Sequence, residues 1–266
     1  MPAPHTDDVL VARTGAVLRV TFNRPGSLNA LTTDMLATAA RAIERGGTDA
    51  GTRAIVLTGA GRAFSSGADL AADGEATPSD GETPDPAIID AANRLTMALR
   101  RVPKPVIAAV NGPAVGVGCS FAIAADFTVA KESAYFLLAF ANAGLMPDGG
   151  ATALLPAAVG RARAARMAML AERITARSAV DWGLIAAVFP DNTFDAEVDR
   201  LATRLADGPT AAYAQTKRAF NATVLARLPH ALEAEREGQS ALFRTADFAE
   251  GIAAFRDKRT PRFTGV

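Results

Sequence analysis

Two short apolar runs that each lead into a glycine-rich turn constrain the fold of this chain most. Residues 54–58 lead into a turn at 59–61, and residues 106–110 lead into a turn at 111–118. Uninterrupted apolar runs of this length are typical of strands buried on both faces of a parallel sheet. Because parallel strands need crossover connections, helices are expected between them. The chain therefore predicts an α/β fold.

The rest of the chain extends this alternation to about residue 190, after which only helical spacing is found. Residues 9–13 and 17–22 predict a hairpin, and a helix capped by Thr32 or Thr33 is expected to end at Gly46-Gly47. Residues 72–86 predict a surface loop. We divide the chain into a core, 1–204, and a helical annex, 205–266. Further helices are expected at 87–101, 193–206, 210–227 and 230–246, with a short one ending at Arg256.

Composition excludes several classes of function. The chain has 266 residues with 28 Lys+Arg and 28 Asp+Glu, so no overall charge attracts nucleic acid or an anionic membrane. One cysteine, Cys119, allows no internal disulfide and indicates the cytoplasm, as does an N-terminus without signal-peptide features. The only histidines, His5 and His230, argue against a Ser-His-acid triad. No residue spacing suggests a metal site.

The first glycine turn has two interpretations. Gly59-Ala-Gly61 lacks the third glycine of a dinucleotide-binding loop, since Phe64 stands there, and redox chemistry is disfavoured. Gly67-Ala-Asp69 is expected to start a helix, whose N–H groups suit an anion or a developing oxyanion. Alternatively, this is an ordinary turn in which Asp69 caps the helix.

The second turn repeats the first. Glycines on both sides of Val117 let its backbone N–H approach a ligand closely. Two strand–turn–helix units could aim two N–H donors at one carbonyl oxygen, forming an oxyanion hole. Cys119 follows this turn, and we interpret it as a packing residue because it has no histidine partner.

Several sequence blocks, in order over nearly the whole chain, carry a resemblance to a known family. They resemble the signature blocks of the crotonase superfamily, which contains the enoyl-CoA hydratases and isomerases. The resemblance implies a ββα spiral core, a helical trimerisation region, assembly as a homotrimer or hexamer, and acyl-coenzyme A ligands without a separate cofactor. The blocks are Asn23-Arg-Pro-Gly-Ser-Leu-Asn-Ala-Leu31, Phe64-Ser-Ser-Gly-Ala-Asp-Leu70, Pro105-Val-Ile-Ala-Ala-Val-Asn-Gly112, Ala124-Ala-Asp126, Gly144-Leu-Met-Pro147 and Trp182-Gly-Leu184.

The same resemblance implies roles for individual residues. It assigns the oxyanion donors to Ala68 and Val117. Lys258 matches a lysine that reaches the coenzyme A of a neighbouring subunit, although it could equally belong to a solvated charged tail. Many relatives have lysine at the position of Gly26, so one phosphate contact is missing. Backbone around Ser27, Leu28, Ser66 and Ala68 is expected to hold adenine, and Asp69, Leu70, Gly116, Ser120 and Phe140 are placed in the substrate site.

The acids decide which reaction is expected. Family hydratases hold a water with two glutamates, and the matching positions here are Ser120 and Phe140, which cannot act in that way. Asp148 matches the catalytic acid of several isomerase branches, and an apolar wall would raise its pKa toward a useful value.

Three functions follow from this set of residues. Moving a double bond requires one acid, so a 3-enoyl to 2-enoyl thioester isomerase is the leading prediction. A divergent hydratase and a non-catalytic acyl-CoA binder are the alternatives. In the plainest interpretation, Asp148 merely caps a helix starting at Gly149.

Overall fold

A six-stranded sheet forms the centre of the computed structural model, which describes residues 8–69 and 87–266. Its strand order is β1-β2-β3-β4-β6-β9; β1 and β2 are antiparallel, and the other neighbours are parallel. A smaller sheet has the order β5-β7-β8. The strands are β1 Val9–Thr14, β2 Val17–Phe22, β3 Ala54–Gly59, β4 Val106–Val110, β5 Ala114–Val115, β6 Phe127–Lys131, β7 Tyr135–Leu137, β8 Ile174–Thr175 and β9 Ala187–Phe189.

Helices cover both faces of the large sheet, which confirms the α/β prediction. Ile55 and Leu57 of β3 join the main core, whereas Ala54 and Val56 pack with α6 on the opposite face. This alternation explains the uninterrupted apolar run, since both faces of the strand are buried. The helices are α1 Thr33–Thr48, α2 Ala87–Arg101, α3 Val117–Ala124, α4 Ala151–Leu170, α5 Ala176–Asp181, α6 Phe194–Asp207, α7 Thr210–Thr223, α8 Leu228–Leu242 and α9 Ala246–Arg256.

One local prediction was wrong, and a second falls largely outside the described residues. Helix α1, capped by Thr32 as expected, continues through Gly46 and Gly47 to Thr48. A Cβ at Gly46 would lie 2.5 Å from Leu18 Cδ2, so this glycine permits close packing of the helix on β2 and does not end it. Gly67-Ala-Asp69 is itself not helical, and Ala68 is bridged to Leu31 of the neighbouring segment; the helix that it was expected to start would lie outside the described residues.

The C-terminal helices match the expected number, with shifted ends. Helix α8 begins at Leu228, before Pro229, because proline suits the first turn of a helix. The boundary at residue 204 falls inside α6, whose Val198, Ala202 and Leu205 pack on the core sheet. The division into core and annex stays a prediction. Leu70 and the expected loop 72–86 lie outside the described residues.

Candidate active site

Asp148 lines a cavity and lies in the chain between a 3-10 helix (Ala139–Ala143) and α4. Its side chain is buried, with 8% of the residue exposed. Oδ2 accepts a hydrogen bond from Gln239 Nε2 at 3.0 Å, and Oδ1 has no hydrogen-bond partner within residues 8–69 and 87–266. A buried carboxyl oxygen without a partner is costly, which is typical of a group kept for function.

The surroundings of Asp148 bring its ionisation close to neutral pH. Burial raises the pKa of Asp148 to about 7, the Gln239 hydrogen bond opposes this rise, and the Glu235 carboxylate adds to it. A carboxyl with this pKa can both take up and return a proton at neutral pH. The group therefore has the acidity that a general acid–base residue needs.

Glu235 caps the helix that follows Asp148. Its carboxylate accepts from Gly150 N at 2.7 Å, from Thr152 N at 2.8 Å and from the Thr152 hydroxyl. Helix α4 begins at Ala151, and the carboxyl oxygens of Asp148 are not among the acceptors of its first N–H groups. The interpretation of Asp148 as the side-chain cap was therefore wrong, because Glu235 performs that role.

The two glycine turns meet beside Asp148. Ser65 and Ala114 form a bridge, and a Cβ at Gly67 would lie 3.1 Å from Val115 O. The N–H groups of Ala68 and Val117 have no protein acceptor in the described parts of the chain. Two backbone donors without an acceptor in the described residues thus border one cavity, an arrangement that could hold a carbonyl oxygen.

The cavity that these groups share is mostly apolar and has a volume of about 1150 Å³, including its open mouth. Its walls come from the core and from the C-terminal helices. Apolar walls of this kind suit a hydrophobic acyl group. The main lining side chains are Leu36, Ile88, Ile89, Ala92, Phe140, Leu145, Phe243 and Phe248.

Most of the predicted site residues line this cavity, and the remaining described ones lie outside its lining. Ser27 and Leu28 are not part of the cavity lining. Leu28 contacts it, since Leu28 O accepts a hydrogen bond from Ser66 N at 2.9 Å. Ser120 is fully buried outside the lining, and exposed Lys258 is also absent from it. The predicted residues that line the cavity are Ser66, Ala68, Asp69, Gly116, Val117, Phe140 and Asp148.

Asp69 and Cys119 have structural partners. Asp69 Oδ2 accepts from Arg24 Nη1 at 2.6 Å, an ion pair that anchors the first turn. Cys119 is completely buried, and burial raises the pKa of its thiol to about 12. A thiol of this kind is inert, as the packing interpretation predicts.

Gln239 and Glu235 were missed in the sequence analysis. Both lie on the buried face of α8, which also carries Leu228 and Leu232. The spacing of these positions, 228, 232, 235 and 239, follows one helix face. Two polar residues at core positions of an amphipathic helix were therefore the available signal.

The described residues contain neither a membrane-spanning helix nor a metal-binding cluster. No helix there is both long enough and apolar enough to span a membrane. No group of three or more His, Cys, Asp or Glu side chains is arranged there to hold a metal ion.

Comparison with known proteins places the chain in a family. The family model described as enoyl-CoA hydratase/isomerase matches residues 12–266. The protein belongs to this family, the crotonase superfamily, as its fold and cavity also indicate. A crystal structure of an enoyl-CoA hydratase from Mycobacterium avium subsp. paratuberculosis is 47% identical, with a TM-score of 0.89 over 97% of this chain and 98% of that one.

Curated relatives include isomerases. The 1,2-epoxyphenylacetyl-CoA isomerase of Escherichia coli is 40% identical, covering 94% of this chain and 95% of the relative. The trans-2-decenoyl-[acyl-carrier-protein] isomerase of Streptococcus mutans is 32% identical, covering 97% and 98%. Proteins similar to this chain thus carry both hydratase and isomerase names.

Proposed function

We propose that the protein is an acyl-CoA isomerase that moves a carbon–carbon double bond from the 3-position to the 2-position of an enoyl thioester. The observation that carries this proposal is the buried carboxyl of Asp148 in the cavity wall, with one oxygen free of partners within the described residues. Among the described residues, Asp69 also lines the cavity but is ion-paired with Arg24, and Glu235 is bound to the start of α4 and does not line the cavity. One acid suffices for isomerisation, whereas hydration also needs an activated water.

In the proposed reaction, the Asp148 carboxylate removes a proton from C2 of the thioester. The C2–H electrons move toward the carbonyl, and the resulting dienolate oxygen accepts hydrogen bonds from Ala68 N and Val117 N. Asp148 then returns the proton to C4, leaving the double bond between C2 and C3. The carboxylate is regenerated, and no atom is gained or lost.

Coenzyme A is proposed to bind across the first turn. Backbone around Ser27, Leu28 and Ser66 would hold the adenine, and the hydrogen bond between Ser66 and Leu28 supports a rigid surface there. Lys258 of a neighbouring subunit would contact a phosphate. Two related isomerases act on thioesters by their names, which supports a thioester substrate here.

The test is turnover of a 3-enoyl-CoA by wild type and by Asp148→Asn. The variant should lose about 10³-fold in kcat, because proton transfer is removed while coenzyme A contacts remain. Asp195→Asn, a change of the same kind at an exposed position of α6, should keep full activity. Full activity of Asp148→Asn would overturn the proposal.

The mass of the product distinguishes an isomerase from a divergent hydratase and from a non-catalytic acyl-CoA binder. A divergent hydratase, the function named for the Mycobacterium avium relative, would convert a 2-enoyl-CoA to a product heavier by one water. An acyl-CoA binder would retain thioesters without turnover. Ring-derived thioesters belong in the same assay, because the Escherichia coli relative is named for such a substrate.

A further inference from the structure

Gln239 is a buried polar side chain that contacts the proposed catalytic acid. Only 1% of the residue is exposed, and it lies one turn after fully buried Glu235 on α8. Its Nε2 donates to Asp148 Oδ2, while its Oε1 has no hydrogen-bond partner within residues 8–69 and 87–266. A buried amide with one satisfied end is oriented by that one contact.

This contact distinguishes the two oxygens of Asp148. An oxygen that accepts from an amide N–H is stabilised as an acceptor, whereas the other oxygen is left free to bind a proton. Because Glu235 also fixes Gly150 and Thr152, α8 holds both the acid and the segment that follows it.

We propose that Gln239 is a positioning residue that holds Asp148 Oδ2, so that Oδ1 is the oxygen that takes and returns the substrate proton. The inference rests on the proposed function for the identity of the proton donor. It assigns to α8 a role in the reaction in addition to its role as part of the cavity wall.

Gln239 and Glu235 act on the pKa of Asp148 in opposite directions, and this provides a test. Glu235 is the charged residue acting on Asp148, and it raises the pKa of that carboxyl, whereas the Gln239 hydrogen bond lowers it. Within the described residues, α2, α3 and the 3-10 helix present uncharged groups here: Thr96, whose hydroxyl binds Gly149 O, Val117 and Phe140. Asp69, the other acid of the cavity lining, is ion-paired with Arg24. Removing Gln239 or Glu235 should therefore move the ionisation of Asp148 in opposite directions.

The first experiment measures rate against pH for isomerisation of a 3-enoyl-CoA. Gln239→Met keeps the side-chain length without the N–H donor, and it should weaken the acidity of Asp148 about tenfold. Activity should then be about fivefold lower at neutral pH and recover at about pH 9, since only the ionised carboxylate acts as base. In Glu235→Gln, the curve of rate against pH should move toward acidic pH. Gln215→Met and Glu237→Gln, the same changes at exposed positions, should leave the curve in place.

A second measurement does not depend on turnover. Carbon-13 NMR of aspartate-labelled protein follows the carboxyl of Asp148, assigned by its absence in Asp148→Asn. The titration should move to higher pH in Gln239→Met and to lower pH in Glu235→Gln. Gln239→Asn, whose side chain is too short to reach Oδ2, should behave like Gln239→Met and replaces it if the methionine variant does not fold.

The two measurements separate the inference from the proposed function. An unmoved Asp148 titration in Gln239→Met, or shifts of the same direction in the Gln239 and Glu235 variants, would overturn the inference. A wild-type protein that does not isomerise, but in which the titration moves as expected, would overturn the function and leave the hydrogen bond's effect on Asp148 established.

Discussion

Asp148 makes the folded protein less stable when it ionises. Its carboxyl has the ordinary aspartate pKa of about 3.8 in the unfolded chain and a pKa of about 7 when buried. The folded state therefore binds this proton more tightly, and stability falls as pH rises through the interval between the two values. The acid that the proposed reaction needs thus lowers the stability of the fold.

Replacing Asp148 with asparagine should stabilise the protein at alkaline pH. We expect a gain of about 2–4 kcal/mol in the free energy of unfolding at about pH 8, and a much smaller difference at about pH 4, where the aspartate is neutral. Urea unfolding at both values measures this gain. The control, Asp195→Asn, should show no such pH-dependent difference. The prediction would be contradicted if Asp148→Asn were no more stable relative to wild type at about pH 8 than at about pH 4.

At the scale of elements, the proposed oxyanion hole depends on the close approach of two turns, one carrying Ala68 and the other leading into α3. A Cβ at Gly118, in the first turn of α3, would lie 2.7 Å from Ser65 Cβ and 2.8 Å from Ser65 Oγ. Ser65 belongs to the other turn and is fully buried. The separation of the two turns is therefore set by the absence of a side chain at residue 118.

Gly118→Ala should push α3 away from the turn that carries Ala68. Overpacking should lower the free energy of unfolding by about 1–2 kcal/mol despite the better helix propensity of alanine. Turnover should fall about tenfold or more, because one backbone donor is displaced. Denaturation and steady-state kinetics measure both effects. The control is Gly26→Ala, which should keep wild-type stability because an added Cβ at Gly26 meets no atom within 4 Å. Equal stability of Gly118→Ala and Gly26→Ala would contradict the expected overpacking.

The elements also show what can be predicted from a sequence. Strands β3 and β4 and helix α2 were predictable because an apolar run or a helical spacing is a local property. Asp148, Ala68 and Val117 were found through motifs. Gln239 was not, because it acts across 91 residues, after α8 has docked beside Asp148. Likewise, the role of Gly46 depends on Leu18 of another element.

At the scale of the whole molecule, α7 is held to the core mainly by polar contacts. Lys217, its one buried residue, donates to Leu99 O at 2.6 Å and to Asp126 Oδ2 at 2.7 Å. Phe220 and Val224, at the end of the helix, are 58% and 65% exposed in the single chain. Exposed apolar side chains of this size often mark an interface, so the trimer implied by the sequence resemblance would bury them.

Light scattering should therefore give about three times the chain mass of 27.5 kDa, or six times for a hexamer. Phe220→Glu should shift the protein toward monomers, since a charge would be buried in the contact. Leu10→Glu, at an exposed position of β1, is the matched control and should leave the assembly intact. A wild-type monomer at micromolar concentration would contradict the prediction.

The contact between α8 and Asp148 also links the site to local unfolding. Each time α8 detaches, Asp148 loses Gln239, α4 loses its cap at Glu235, and Phe243 leaves the cavity wall. In the proposed reaction only molecules with α8 in place would be competent, so we expect the opening equilibrium of this helix to set the active fraction. Amide hydrogen exchange in α8 and turnover should then respond together to temperature and denaturant, well before the sheet unfolds.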